Sequence, residues 1–212
     1  PLVTGVQTCD LPIWKLAEDF EDPEQVARRE AQLESGDVES FWWLVRRAEM
    51  RDDPAERERI VRRGAELGLS VGMDLLGDLY DNEEDLEQAI AWWNKAADAG
   101  NTDSMYSLGF AAFNAEDQDQ AAMWWERAMG LDHSGAAWAR ARLAILRDEE
   151  LAMTFMRRAA DLGSTDAKYE LGALLVENEE TRIEGTLLIS EAADEGHEEA
   201  RRAVLGESDD DD

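Results

Sequence analysis

The chain has 212 residues, 44% of them hydrophobic, enough to bury one or two ordinary cores. Its 50 acidic against 21 basic residues give a formal net charge of −29, which repels phosphate backbones and anionic lipid headgroups, so neither nucleic acid nor a membrane surface is expected as a partner. The single cysteine, Cys9, excludes an internal disulfide and a multi-cysteine metal centre, and apolar runs such as Leu143 to Leu146 fall far short of the roughly 20 residues of a membrane span.

At the start, residues 3 to 13 read Val-Thr-Gly-Val-Gln-Thr-Cys-Asp-Leu-Pro-Ile. Apart from Asp10, this resembles the in-frame translation of a widely used short-read sequencing adapter. Residues 1–14 are therefore expected to be a non-native leader, with Cys9 carrying no functional meaning and any export signal hidden; a genuine apolar leader is the alternative. A short helix is expected from Trp14 to Phe20. Asp22-Pro23-Glu24 then reads as a helix start, because aspartate caps free amides and proline suits the first helical position. That helix is expected to run to about Ser35, making residues 15–36 a degenerate or truncated first repeat.

Residues 37–196 read as five helix pairs. The first helices are expected at Glu39 to Met50, Val71 to Tyr80, Asp103 to Phe113, Gly135 to Leu146 and Asp166 to Val176, each with apolar residues at helical spacing. The second helices are anchored by Ile60-Val61, Trp92-Trp93, Trp124-Trp125, Phe155-Met156 and Leu188-Ile189. Acidic connectors such as Asp81 to Asp85 and Asn114 to Asp119 join the two, placed where each opens the positive N-terminal end of a helix. Closing positions fall at Gly36, Gly68, Gly100, Asp132, Gly163 and Gly196, spaced by 32, 32, 32, 31 and 33 residues, where the backbone must turn with φ > 0. A period of about 32 residues predicts an all-α solenoid of antiparallel helix pairs in one domain. Holding that period puts Arg140 in the phase of Leu44, Leu76, Leu108 and Leu171, which means either a polar substitution or a slip of one residue. Residues 197–206 are expected to form a polar capping helix and residues 207–212 a disordered acidic tail.

The stretch Ala89-x-x-Trp92-Trp93-x-x-Ala96-Ala97-x-x-Gly100, preceded by Leu76-Gly77-x-x-Tyr80, resembles the Sel-one-like repeat family, close relatives of tetratricopeptide repeats. Tyr106-Ser-Leu-Gly109 with Trp124-Trp125, and Tyr169-Glu-Leu-Gly172 with Ala192-Ala193-x-x-Gly196, carry the same resemblance, which covers about Gly36 to Leu205. The loop within each pair is shorter than the family's usual one, which brings the unit close to tetratricopeptide length. The resemblance implies a right-handed α-solenoid whose role is protein–protein interaction, with the first helix of each pair lining a concave face.

The tryptophan doublets are expected to be core, since they share one repeat phase. In the first helices, Trp42, Asp74, Tyr106, Trp138 and Tyr169 recur one repeat apart, and one turn on stand Arg46, Asp78, Phe110 and Arg142. On the concave face that the resemblance implies, these would hold a peptide, with aromatics as anchors and arginine as a carboxylate fork; packing within the repeat is the equal alternative. His133 and His197 both follow a repeat-closing turn and are expected to be exposed turn residues. No catalytic residue, metal ligand or cofactor is expected: the chain lacks a glycine-rich phosphate loop and His-Glu-x-x-His, and its acidic runs lack the glycine and spaced ligands of a calcium loop.

The expected function is thus a non-enzymatic, monomeric scaffold that binds a protein or peptide. The alternative is a regulatory or ligand-sensing repeat domain of a larger enzyme or secreted protein. The acidity reads either as a solvated surface or as a preference for basic partners. The cytoplasm is the expected location, with export left open by the hidden start.

Overall fold

The computed structural model describes residue 20, residues 22–145 and residues 148–206. The leader at 1–14 with Cys9, most of the short helix expected before Phe20, Leu146 and the tail at 207–212 lie outside the described residues.

Every regular element among the described residues is a helix. In chain order these are α1 (Pro23–Glu34), α2 (Val38–Met50), α3 (Pro54–Glu66), α4 (Ser70–Asn82), α5 (Leu86–Asp98), α6 (Thr102–Asn114), α7 (Gln118–Met129), α8 (Ser134–Ala144), α9 (Glu149–Asp161), α10 (Thr165–Val176), α11 (Arg182–Asp194) and α12 (Glu198–Leu205). They fall into two compact units divided after Ala99, α1 to α5 and α6 to α12. Within each unit every helix packs against its successor, the short connectors leaving each pair antiparallel.

The helix boundaries follow from capping chemistry. Asp22, Asp37, Asp53, Asp85, Asn101, Asp117, Asp148 and Ser164 each precede a helix, and their side-chain oxygens accept from a backbone N–H of its first turn. Left-handed backbone recurs at the repeat-closing positions from Gly36 to Gly196, with Asp132 at φ 65°. It also occurs inside three pairs, at Asp52, Glu84 and Glu116, each immediately before its capping aspartate. The acidic connectors therefore make a left-handed turn as well as a cap, a role that the helix dipole alone does not explain.

The core is assembled from the expected phases. In the first unit Leu33, Phe41, Leu44, Val45, Ile60, Val61 and Leu76 are buried together; in the second, Ala137, Ala141, Met156, Leu171 and Leu175 are. The tryptophan doublets divide. Trp93 and Trp125 are core, while Trp92 and Trp124 are half-exposed and lie under the Lys95 ammonium, 3.5 Å from the ring centroid, and the Arg127 guanidinium, at 5.4 Å.

Facing residues of a pair are matched in size. A Cβ on Gly77 would meet Trp93 Cδ1 at 2.4 Å, and one on Gly109 would meet Trp125 Nε1 at 2.2 Å. At the same phase Val45 and Val61 are buried in one core, and Ala141 and Met156 in the other. Ala141, 32 residues after Gly109, is thus a buried small residue in the phase of the glycines. Arg140 occupies the leucine phase and is half-buried, its Nε donating to Glu126 Oε1 at 2.8 Å and its guanidinium 4.7 Å over Phe155.

Candidate functional site

The geometry of interest lies within the second unit, where α6, α7 and α8 meet. On α6, Phe110 and Phe113 are three residues apart and so share one helical face. Phe110 sets its edge on the Trp125 indole at 5.2 Å and 68°, and Phe113 tilts toward the same ring at 6.0 Å. Trp125 is fixed between them because its Nε1 donates to the Tyr106 carbonyl oxygen at 3.2 Å and Gly109 leaves room for its ring. On α8, Trp138 and Arg142 are one turn apart, with the guanidinium 4.8 Å over the indole. Trp138 Nε1 donates to Glu170 Oε2 of α10 at 3.1 Å, which holds the ring in place.

Between these side chains lies a cavity of about 570 Å³. Phe110, Phe113 and Trp125 line it from α6 and α7, Trp138, Ala139, Arg142 and Leu143 from α8, and Gln118 from the first turn of α7. Ala136, Ala137, Ala139, Ala141 and Ala144 are the buried residues of α8, and of these Ala139 lines the cavity. Arg140 does not line it, being drawn to Glu126 and Phe155. Phe110 and Phe113 keep 36% and 42% of their surface exposed.

Phe110, Trp138 and Arg142, all picked from the sequence, meet at this cavity. Tyr106 lies beside it, edge-on to Phe110 at 4.8 Å and stacked on His133 at 4.9 Å. Burial raises the Tyr106 phenol above the usual tyrosine value, and the charge of Asp166 raises it further. Tyr169 packs instead on His197, at 4.7 Å. Trp42, Arg46, Asp74 and Asp78 belong to the first unit. There Trp42 is 45% exposed and edge-on to Phe41, Arg46 is exposed, Asp74 is half-buried, and Asp78 accepts from Trp93 Nε1 at 3.1 Å. Asp78 therefore serves to hold a core indole.

Sequence reasoning did not pick Phe113, Gln118, Trp125 or Leu143 as site residues. Phe113 carried a usable signal, its spacing of three from Phe110. Trp125 is core, as its repeat phase predicts, and it also lines the cavity.

The histidines need correction. Neither is exposed: their side chains retain 16% and 10% of their surface, because each serves as a helix cap. His133 Nδ1 accepts from the Ala136 N–H at 2.9 Å, and its Nε2 lies 3.2 Å from Asp103 Oδ1. His197 repeats this with Ala200 and Asp166, both at 3.2 Å. A ring that accepts at Nδ1 carries its proton on Nε2, which then donates to the aspartate. Aspartate, histidine and tyrosine thus form a recurring brace between one pair and the next helix.

Among the described residues, no group of three or more His, Cys, Asp or Glu side chains is placed to hold a metal ion, and no helix is long and apolar enough to cross a membrane.

No family model matches the chain, and no curated protein does. Solved structures do. A protective antigen of uropathogenic Escherichia coli strains displaying an SLR fold is 22% identical, with 92% of this chain and 49% of that one covered and a TM-score of 0.71. A Sel1 repeat protein from Oxalobacter formigenes is 20% identical over 69% of this chain and 66% of its own, at a TM-score of 0.57. A sel1 repeat protein from Klebsiella pneumoniae subsp. pneumoniae is 18% identical over 84% and 96%, at 0.52. The chain spans about half the length of the first of these. At these identities the likeness concerns the fold: this chain has the all-α, tetratricopeptide-like repeat fold of Sel1-repeat proteins.

Proposed function

We propose that this protein is a protein-interaction scaffold that takes a segment of a partner protein at the aromatic cavity of α6, α7 and α8. One observation carries the reading. Large aromatic side chains from three helices surround an open space of about 570 Å³, and two of them, Phe110 and Phe113, stay substantially exposed. A core would have closed over such residues, whereas interaction anchors are enriched in just these types. The volume lies within the roughly 300–1,000 Å³ of sites that enclose a ligand group. Of the nine residues picked from the sequence, Phe110, Trp138 and Arg142 line this cavity, Tyr106 packs against Phe110, and the other five are not among its lining residues.

The reading is supported by the fold, because helix-pair repeats bury their core between neighbouring pairs and leave one helical face of each pair to be varied. Catalysis forms no part of the proposal. The test is capture of partner proteins from a cell extract by the wild-type chain and by the Phe113→Ala and Trp138→Ala variants. Loss of the same discrete partners in both variants, with unchanged circular dichroism, is the expected result. Identical capture by all three proteins would sink the cavity as the interaction site.

A further inference from the structure

The cavity does not stand alone. Gln118 lines it and also lines a second, more open recess of about 440 Å³, whose other residues are Ala115, Glu116, Asp117 and Asp119. An apolar space and an acidic one therefore adjoin at the first turn of α7. Asp117 is occupied, since its carboxylate caps that turn by accepting from the Gln120 N–H at 3.0 Å. Glu116 and Asp119 are exposed, and among the described residues neither is held by a cation.

The α8 lining of the cavity carries the other sign of charge. Arg142 is exposed there, stacked on Trp138, and makes no ion pair among the described residues. A second cation beside it would be repelled, while one placed over Glu116 and Asp119 would be drawn in. The background charge of −29 favours cationic partners generally, and the fixed Arg142 restricts where their charge can lie.

We infer that the partner segment received here is a basic peptide that presents one large apolar side chain to the cavity, with a lysine or arginine directly beside it lying over Glu116 and Asp119. This rests on the interaction reading above and adds the chemistry of the partner. The apolar anchor supplies burial against Phe110, Phe113, Trp125 and Trp138, and the adjoining cation sets direction along the surface. A segment with an acidic residue at that place meets like charge, and one without the anchor leaves the aromatic walls wet.

The test uses the full chain and fluorescein-labelled hexapeptides, read by fluorescence polarisation. One carries a single phenylalanine followed by two lysines; the others replace both lysines by glutamate, both by glutamine, or the phenylalanine by serine. The lysine–phenylalanine peptide should bind at least about tenfold more tightly than each of the others. Phe113→Ala should weaken it by about tenfold, and the double variant Glu116→Gln, Asp119→Asn by about threefold to tenfold with a shallower dependence on salt. All substituted residues are exposed, and circular dichroism checks that each variant folds. Binding of the glutamate or glutamine peptide as tightly as the lysine peptide would overturn the inference, as would failure of all four to bind or equal binding without phenylalanine. If partner capture from extract depends on Phe113 while the double variant and the lysine peptide show no effect, the interaction site stands and only its preference for basic segments falls.

Discussion

At the scale of single residues, His133 shows how a side chain can read as incidental and be structural. Its ring satisfies one of the orphan N–H groups at the start of α8, ties back to Asp103 and stacks on Tyr106, so α6 and α8 meet at one imidazole. Replacing it by alanine removes the cap and is expected to cost about 1 kcal/mol. Replacing it by asparagine keeps a cap acceptor but loses the stack, so His133→Asn should recover part of that loss. Urea denaturation of the three proteins, compared by midpoint at equal slope, measures both effects. Equal stability of wild type and His133→Ala would remove the capping role. His197 provides an internal control, being the same device two repeats along. Nothing in the residue's own neighbourhood in sequence announces it, because the partner aspartate stands 30 residues earlier.

At the scale of the element, the pairing of glycine with tryptophan decides how closely two helices approach. Alanine is favoured over glycine within a helix by about 1 kcal/mol. At Gly109 that preference is outweighed, because the added Cβ would lie 2.2 Å from Trp125 Nε1, with overpacking of this kind costing about 1–3 kcal/mol. Gly109→Ala is therefore expected to destabilise the wild-type chain. In a Trp125→Met background, which reproduces the Ala141 and Met156 combination of α8 and α9, the same substitution should turn neutral or stabilising. A double-mutant cycle by chemical denaturation reads the change of sign. Independent, additive effects would show that the two side chains are not matched.

At the scale of the whole molecule, the charge of −29 sets solution behaviour before it sets recognition. Like charges crowded on a folded chain repel, and added salt screens them over about 10 Å at 0.1 M ionic strength. The melting temperature is accordingly expected to rise between low salt and about 0.3 M sodium chloride, the reverse of a protein held by surface ion pairs. A fall over that range in thermal scans would mean that bridges such as Arg158 to Asp132 outweigh the general repulsion. The sequence by itself determined the helix-pair repeat, the positions of its turns and the leucine and glycine phases of its core, because helical periodicity, capping and positive φ are local requirements that each residue meets within a few neighbours. It also marked Phe110, Trp138 and Arg142. Only the tertiary structure decided that these three meet Phe113 and Trp125 around an open space, that Asp78 holds an indole and that the histidines are caps. Those outcomes depend on the relative size and polarity of side chains on helices 15 to 30 residues apart, as in the bonds of Trp93 to Asp78 and His133 to Asp103, and no local pattern encodes such a difference.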